Sequence, residues 1–141
     1  MKTGTIIAIL LFLLGCNKET NQHTEYVTIY SNTSSHKIHI FNQDFFNLEI
    51  LPNTDNRSSH LVRGYDAGDS PRVNLNMGVV EITYNDTITI KHPGDFYTVK
   101  KDIRDPNNYS ITKEESELGV AYTHTYTFTD ADFMEADSII N

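Results

Sequence analysis

The alternation of apolar and polar positions is the strongest signal in the chain, and it predicts strands. Over residues 120–129, Val120, Tyr122, His124, Tyr126 and Phe128 share one face, while Ala121, Thr123, Thr125, Thr127 and Thr129 share the other. The threonine face suits water, and the aromatic face predicts the heart of a core. Residues 79–84 and 88–91 alternate too, with Val80, Ile82 and Tyr84 on one side and Ile88 and Ile90 together. A two-residue turn at Asn85-Asp86 would oppose Ile82 to Thr89 and mix the faces. A three-residue loop, Asn85-Asp86-Thr87, opposes Tyr84 to Ile88 and Ile82 to Ile90, so the odd-length loop is expected. Its cost is β-branched Thr87 where a left-handed residue is usual.

Residues 25–31 set Val27 and Ile29 on one face and Tyr26, Thr28 and Tyr30 on the other; residues 36–41 set Ile38 beside Ile40. A hairpin loop of Asn32-Thr33-Ser34-Ser35 would place Ile29 against Ile38 and Val27 against Ile40. Residues 45–51 form a third candidate strand with Phe46, Leu48 and Ile50 on one face, ended by Pro52-Asn53. Residues 57–62, 73–75, 96–99 and 109–112 are shorter candidates. Residues 64–71 and 105–108 carry turn chemistry, Pro93-Gly94 breaks the pattern, and the charged residues 113–119 predict a mobile loop. After the last strand Thr129 can cap a helix, with Asp132 at the capping-box position and both Asp130 and Asp132 suited to the positive end. The helix should run to about residue 137 with Phe133 and Ala136 inward. The pattern predicts one all-β domain over residues 25–141: an antiparallel β-sandwich, or a partly open barrel, of about seven to nine short strands with a short C-terminal helix.

The first residues carry a different pattern. Lys2 precedes an unbroken apolar run over residues 6–14, followed by Gly15 and Cys16. That is secretory signal architecture, and the run is shorter than the roughly 20 apolar residues a membrane span needs. Leu13, Gly15 and Cys16 resemble the lipobox of bacterial lipoproteins. The resemblance implies that residues 1–15 are a signal peptide cut between Gly15 and Cys16. Cys16 would then carry a diacylglyceryl group and an N-acyl chain, enough to anchor a protein stably at about 0.8 kcal/mol per buried methylene. Residues 16–24 then form a lipidated polar tether. Lys18-Glu19 matches in part the surface-export signal of Bacteroidota lipoproteins, a lysine followed by two acids. Asn17 is not the aspartate tied to inner-membrane retention in enteric bacteria, so the outer membrane is the expected location, its periplasmic or surface side left open.

Cys16 is the one cysteine of the chain. No disulfide forms within the chain, and lipidation excludes a cysteine nucleophile or a thiolate metal site. Nineteen acids against eleven Lys and Arg give a net charge of −8, and loss of Lys2 with the signal makes the mature chain one unit more negative. That balance argues against nucleic acid and anionic lipid headgroups as partners. His36 and His39 fall on opposite faces of one strand, with His39 toward solvent beside Lys37 and Phe41; His124 reads as a core histidine. No His-x-His or His-Glu-x-x-His spacing supports zinc. Asp130, Asp132, Glu135 and Asp137 read as a capped, solvated helix rather than a calcium site, lacking the glycine and ligand alternation of an EF-hand. Asp66 and Asp69 read as turn-formers, and no serine sits in a nucleophile elbow. No catalytic residue, metal or cofactor is expected. Tyr26 and Tyr30, on the presumed outer face, could stack on sugars unless a second layer buries them; the chain has no Trp.

Asp86-Thr87-Ile88 and Asp137-Ser138-Ile139 resemble the O-glycosylation acceptor of Bacteroidota envelope proteins, which implies modification at Thr87 and Ser138. The closing stretch from Tyr126 to Ala136, with the Ile82-Thr83-Tyr84-Asn85-Asp86 hairpin, is similar to small uncharacterised lipoproteins of Bacteroidota. That resemblance implies the location and the β fold and carries no activity. The leading expectation is a membrane-anchored, non-enzymatic envelope lipoprotein whose domain binds a protein or a glycan. One alternative is a lipid-anchored hydrolase or metal-dependent enzyme, which a deep pocket with converging His124 or Asp side chains would favour. Another is an accessory factor for outer-membrane assembly.

Overall fold

In the computed structural model, which describes residues 23–43, 46–63, 78–92, 100–117 and 119–140, eight strands form two four-stranded sheets. In chain order they are β1 (His23–Asn32), β2 (Ile38–Asn42), β3 (Phe46–Ile50), β4 (Thr54–Arg63), β5 (Val80–Tyr84), β6 (Ile88–His92), β7 (Ser110–Ser116) and β8 (Gly119–Phe128), followed by one helix, α1 (Asp130–Ile140). The first sheet has the order β4-β1-β8-β7 and the second β3-β2-β5-β6. Tyr30, Tyr126 and Phe128 of the first meet Ile38, Ile40, Ile50, Val80, Ile82 and Tyr84 of the second in one core cluster. The architecture is a sandwich and not a closed barrel. Five of its six ladders are antiparallel; β1 and β8 run parallel, from His23 opposite Gly119 to Asn32 opposite Phe128.

That parallel pair overturns the hairpin expected between residues 25–31 and 36–41. β1 and β2 belong to different sheets, and the segment between them crosses from one to the other. In parallel pairing, rows align side by side, so Tyr26, Tyr30 and Asn32 share the inward face of Tyr122, Tyr126 and Phe128. Tyr30 is 2 % exposed, and Tyr26 stacks on Tyr122 with centroids 5.8 Å apart. Ile29, expected inside, is only half-buried, while Val27 is buried from the other face. The aromatic row of β8, at the far end of the sequence, decided the parity of β1. Local alternation has no access to that partner.

The crossover hangs on Asn32, which is 1 % exposed. Its amide nitrogen donates to the carbonyls of His36 (2.8 Å), Ile50 (3.2 Å) and Leu51 (3.1 Å), and its oxygen accepts from the Ser34 backbone N–H and hydroxyl. One side chain thus ties the end of a first-sheet strand to the end of β3 in the second. Thr33 adds a backbone N–H and a hydroxyl, both donating to the Phe128 carbonyl.

The β5–β6 hairpin has the expected register, Tyr84 opposite Ile88 and Ile82 opposite Ile90. The left-handed residues are Asn85 (φ 49°) and Asp86 (φ 59°), with the Thr87 N–H donating to the Tyr84 carbonyl. Two residue types that tolerate positive φ take the turn, and Thr87 escapes the expected strain. β4 is longer than the predicted 57–62 segment, pairing with β1 along its whole length. β1 itself begins at His23, two residues before the expected domain start.

Residues 113–119 are a further correction. Lys113 to Ser116 belong to β7 and pair with β8, and every β7 side chain is exposed. An edge strand wet on both faces has no apolar period to read, and its charges discourage pairing with another chain. Before it, Asp105 caps a single 3-10 turn at Pro106–Asn108, accepting from the Asn107 N–H, while Ile103 and Tyr109 enter the core. Helix α1 starts as expected: the Asp132 carboxylate accepts from the backbone N–H (2.7 Å) and hydroxyl (2.8 Å) of Thr129. It runs one turn past residue 137, with Ala136 fully buried and Phe133 against the core. The segments 64–71, 73–75 and 96–99, with Asp66 and Asp69, lie outside the described residues.

Candidate functional site

The anchor residues Gly15 and Cys16, and Lys18-Glu19, lie outside the described residues. Thr87 is exposed at the β5–β6 tip, its hydroxyl donating to the Tyr84 carbonyl at 3.2 Å. Ser138 is exposed in the last turn of α1, its hydroxyl donating to the Glu135 carbonyl at 2.7 Å.

The helix carboxylates are engaged with the protein. Asp130 accepts from the Ser35 N–H and hydroxyl, which holds its carboxyl below the usual carboxylate range. Asp132 is the capping-box carboxylate that accepts from Thr129, and Glu135 accepts from the Lys100 N–H at 2.9 Å. Among the described residues no group of three or more His, Cys, Asp or Glu side chains is arranged to hold a metal ion. His36 stacks on Phe133 of α1 (centroids 3.6 Å apart), and His39 lies on the other side of the sheet, bonded through Nε2 to the Asn47 carboxamide at 2.6 Å.

His124 is 1 % exposed and packs near Tyr26. Burial pushes its pKa down, opposed by a backbone hydrogen bond at Val27; Nε2 has no hydrogen-bond partner among the described residues. It is a packed core histidine, and among the described residues it does not converge with carboxylates in a cleft.

A second buried histidine escaped the sequence reading, though parity pointed to it: His92 continues the inward row of Ile88 and Ile90. It is 3 % exposed. The Ile103 N–H donates to its Nδ1 at 3.1 Å, which puts the proton of the neutral ring on Nε2, an atom without a hydrogen-bond partner among the described residues. Burial lowers its pKa to about 4, with Asp102 opposing the shift. His92 borders a recess of about 10 Å³ with Tyr84, Ile90, Lys101, Tyr126, Asp132 and Glu135. Lys101 donates to the Thr127 carbonyl, lies 3.4 Å from Asp132 and sits 4.8 Å from the Tyr126 ring centre. The recess is the size of a single water molecule. It can satisfy a buried N–H and brace α1 against β6, but it has no room for a substrate.

The outer face of the second sheet is a different kind of surface. Strand parity and register set side chains there in two rows. One row runs Asn47, Phe41, Glu81, Lys91; the next runs Glu49, His39, Thr83, Thr89. Phe41 is 39 % exposed, and the His39 ring lies 6.4 Å from it at 27°. Around the rings the polar groups are already joined: Asn47 to His39, Thr83 to Thr89 at 2.8 Å, and Glu81 to Lys91 at 2.9 Å. The exposed aromatic surface expected at Tyr26 and Tyr30 is therefore found at Phe41 instead.

Comparison with protein-family models, curated proteins and solved structures returns no match for this chain.

Proposed function

We propose that the protein is a lipid-anchored envelope lipoprotein of the outer membrane, and that its β-sandwich is a non-enzymatic binding module for a protein or glycan partner. The observation that carries this reading is the run Leu13-Leu14-Gly15-Cys16 behind an apolar stretch too short to span a bilayer. β1 starts at His23, so six residues separate Cys16 from the first strand, a reach of about 20 Å when extended. A folded domain on a short polar leash suits capture of a partner close to the membrane. The reading also takes up Thr87 and Ser138 as O-glycosylation sites, supported by the exposure of both residues.

The test is protease accessibility on intact cells of the native host, with a Cys16→Ala control and membrane fractionation. Wild type partitions with the outer membrane and Cys16→Ala is released to the soluble fraction. Digestion without lysis assigns the domain to the surface; protection until lysis assigns it to the periplasm and removes Lys18-Glu19 as an export signal. Membrane retention of Cys16→Ala would sink the anchor. Intact mass of the host-derived protein decides the sugar: a lipidated but unglycosylated mass removes Thr87 and Ser138 as acceptors.

A further inference from the structure

We propose that the outer face of the second sheet is a stacking platform for a neutral saccharide, one sugar ring lying on Phe41 with its hydroxyls held by Asn47 and Glu81. This rests on the binding-module reading and names the partner of that module. Phe41 is 39 % exposed in the middle of a polar sheet face. Its row neighbours on both sides, Asn47 and Glu81, stand one strand spacing away, about 4.8 Å. A pyranose presents an apolar C–H face and a rim of hydroxyls, so it needs one flat ring below and hydrogen-bonding groups beside it. The His39 ring stacks alongside Phe41, with centroids 6.4 Å apart and planes at 27°, and helps to fix the orientation of the phenyl ring.

The polar neighbours are fixed before any ligand arrives. The Asn47 oxygen is taken by His39, leaving the amide N–H groups to donate. One Glu81 oxygen is taken by Lys91 at 2.9 Å, leaving the other to accept. Such preorganisation lowers the entropic cost of binding. Charge points to a neutral ligand, because the Lys91 ammonium is already matched by Glu81 and offers no free cation to an acidic sugar. Area points away from a protein. A stable protein interface takes about 800 Å² per partner around buried aromatic or Arg anchors, whereas the two rows around Phe41 offer one half-exposed phenyl ring among hydroxyl, amide, imidazole and charged groups, with exposed Leu51 and Val79 only beyond the strand ends.

The experiment uses the full lipoprotein, extracted in a non-ionic detergent without sugar headgroups, in native gels containing xyloglucan, galactomannan or polygalacturonate. The expected result is retardation by at least one of the two neutral polymers and none by polygalacturonate. Phe41→Ala should weaken retardation about tenfold and Phe41→Tyr should retain it, with melting temperatures unchanged because the ring is outside the core. Glu81→Gln, which keeps the shape and loses the charge, should weaken it less than Phe41→Ala. Absence of retardation in both neutral polymers, equal retardation of wild type and Phe41→Ala, or retardation only by polygalacturonate would overturn the proposal. Crosslinking in intact cells separates this failure from that of the module. Capture of one envelope protein equally by wild type and Phe41→Ala overturns the platform and leaves the binding module standing.

Discussion

The two sheets reach stability by different routes. The second is built from four five-residue strands, paired only with antiparallel neighbours and lined inside mainly by aliphatic groups, Ile38, Ile40, Ile50, Val80, Ile82 and Ile90, with Tyr84 and His92 at strand ends. The first has three ten-residue strands centred on a parallel pair from opposite ends of the chain, lined by Tyr30, Tyr122, His124, Tyr126 and Phe128. Aliphatic groups need only to be covered. Tyrosines and histidines bring polar atoms inside that must find partners. The Tyr126 hydroxyl donates to the Lys101 carbonyl at 2.7 Å and Tyr109 to the Ile103 carbonyl at 2.6 Å, so the backbone of residues 101–103 becomes part of the aromatic core. Polarity and pH should therefore matter along the whole of the first sheet and, in the second, at Tyr84 and His92, while volume governs the rest of the second.

The largest expected effect lies where the sheets are joined. Asn32→Ala removes the donor for three carbonyls and the acceptor for Ser34. It should cost about 4 kcal/mol, read by urea denaturation. A loss under about 1 kcal/mol would mean that water replaces the Asn32 amide and the crossover is not held by it.

Next comes pH. The unfolded His92 titrates near 6.5 and the folded one at about 4. Between these values the unfolded chain binds a proton that the folded chain refuses, so stability falls as pH drops from 6.5 toward 4, by about 3 kcal/mol in all. His124, also lowered, adds in the same direction. Stability measured from pH 7 to 4.5 should slope less in His92→Asn, whose carboxamide oxygen can still accept from Ile103. An unchanged slope would assign the titration elsewhere.

Gly119→Ala sharpens the comparison at its parallel seam. A Cβ at Gly119, which has φ 147°, would lie 1.9 Å from the His23 carbonyl oxygen. The strand end must part, at about 2 kcal/mol, and hydrogen exchange should accelerate near His23 while β5 and β6 stay protected. The smallest pair contrasts the two linings. Tyr126→Phe strands the Lys101 carbonyl and should cost about 1–2 kcal/mol. Ile82→Val trims one methylene and should cost about 1 kcal/mol with no pH dependence. Equal costs with equal pH profiles would erase the distinction between the sheets.

These contrasts also mark what the chain discloses in one dimension. The β5–β6 hairpin was legible down to its register because both strands and the turn lie within a few residues, and only one loop length aligns Ile82 with Ile90. The cap of α1 was legible because Thr129 and Asp132 are three apart. β1 has two equally regular faces, the aliphatic one was expected inside, and only β8, far away in sequence, selects Tyr30 over Ile29. The charged β7 gave no period because it buries nothing. His92 lay one residue past the expected end of its strand although its parity was right, whereas Phe41 was legible as a solvent-side ring from its parity with Lys37 and His39.

The most direct test is a backbone NOE map of the isotope-labelled chain. Parallel pairing predicts cross-strand amide-to-α-proton contacts running in step from His23 and Gly119 to Asn32 and Phe128, and none between β1 and β2. Contacts joining Ile29 to Ile38 and Val27 to Ile40 would contradict it. They would return β1 to a local hairpin, turn Tyr30 outward and undo the account of both sheets.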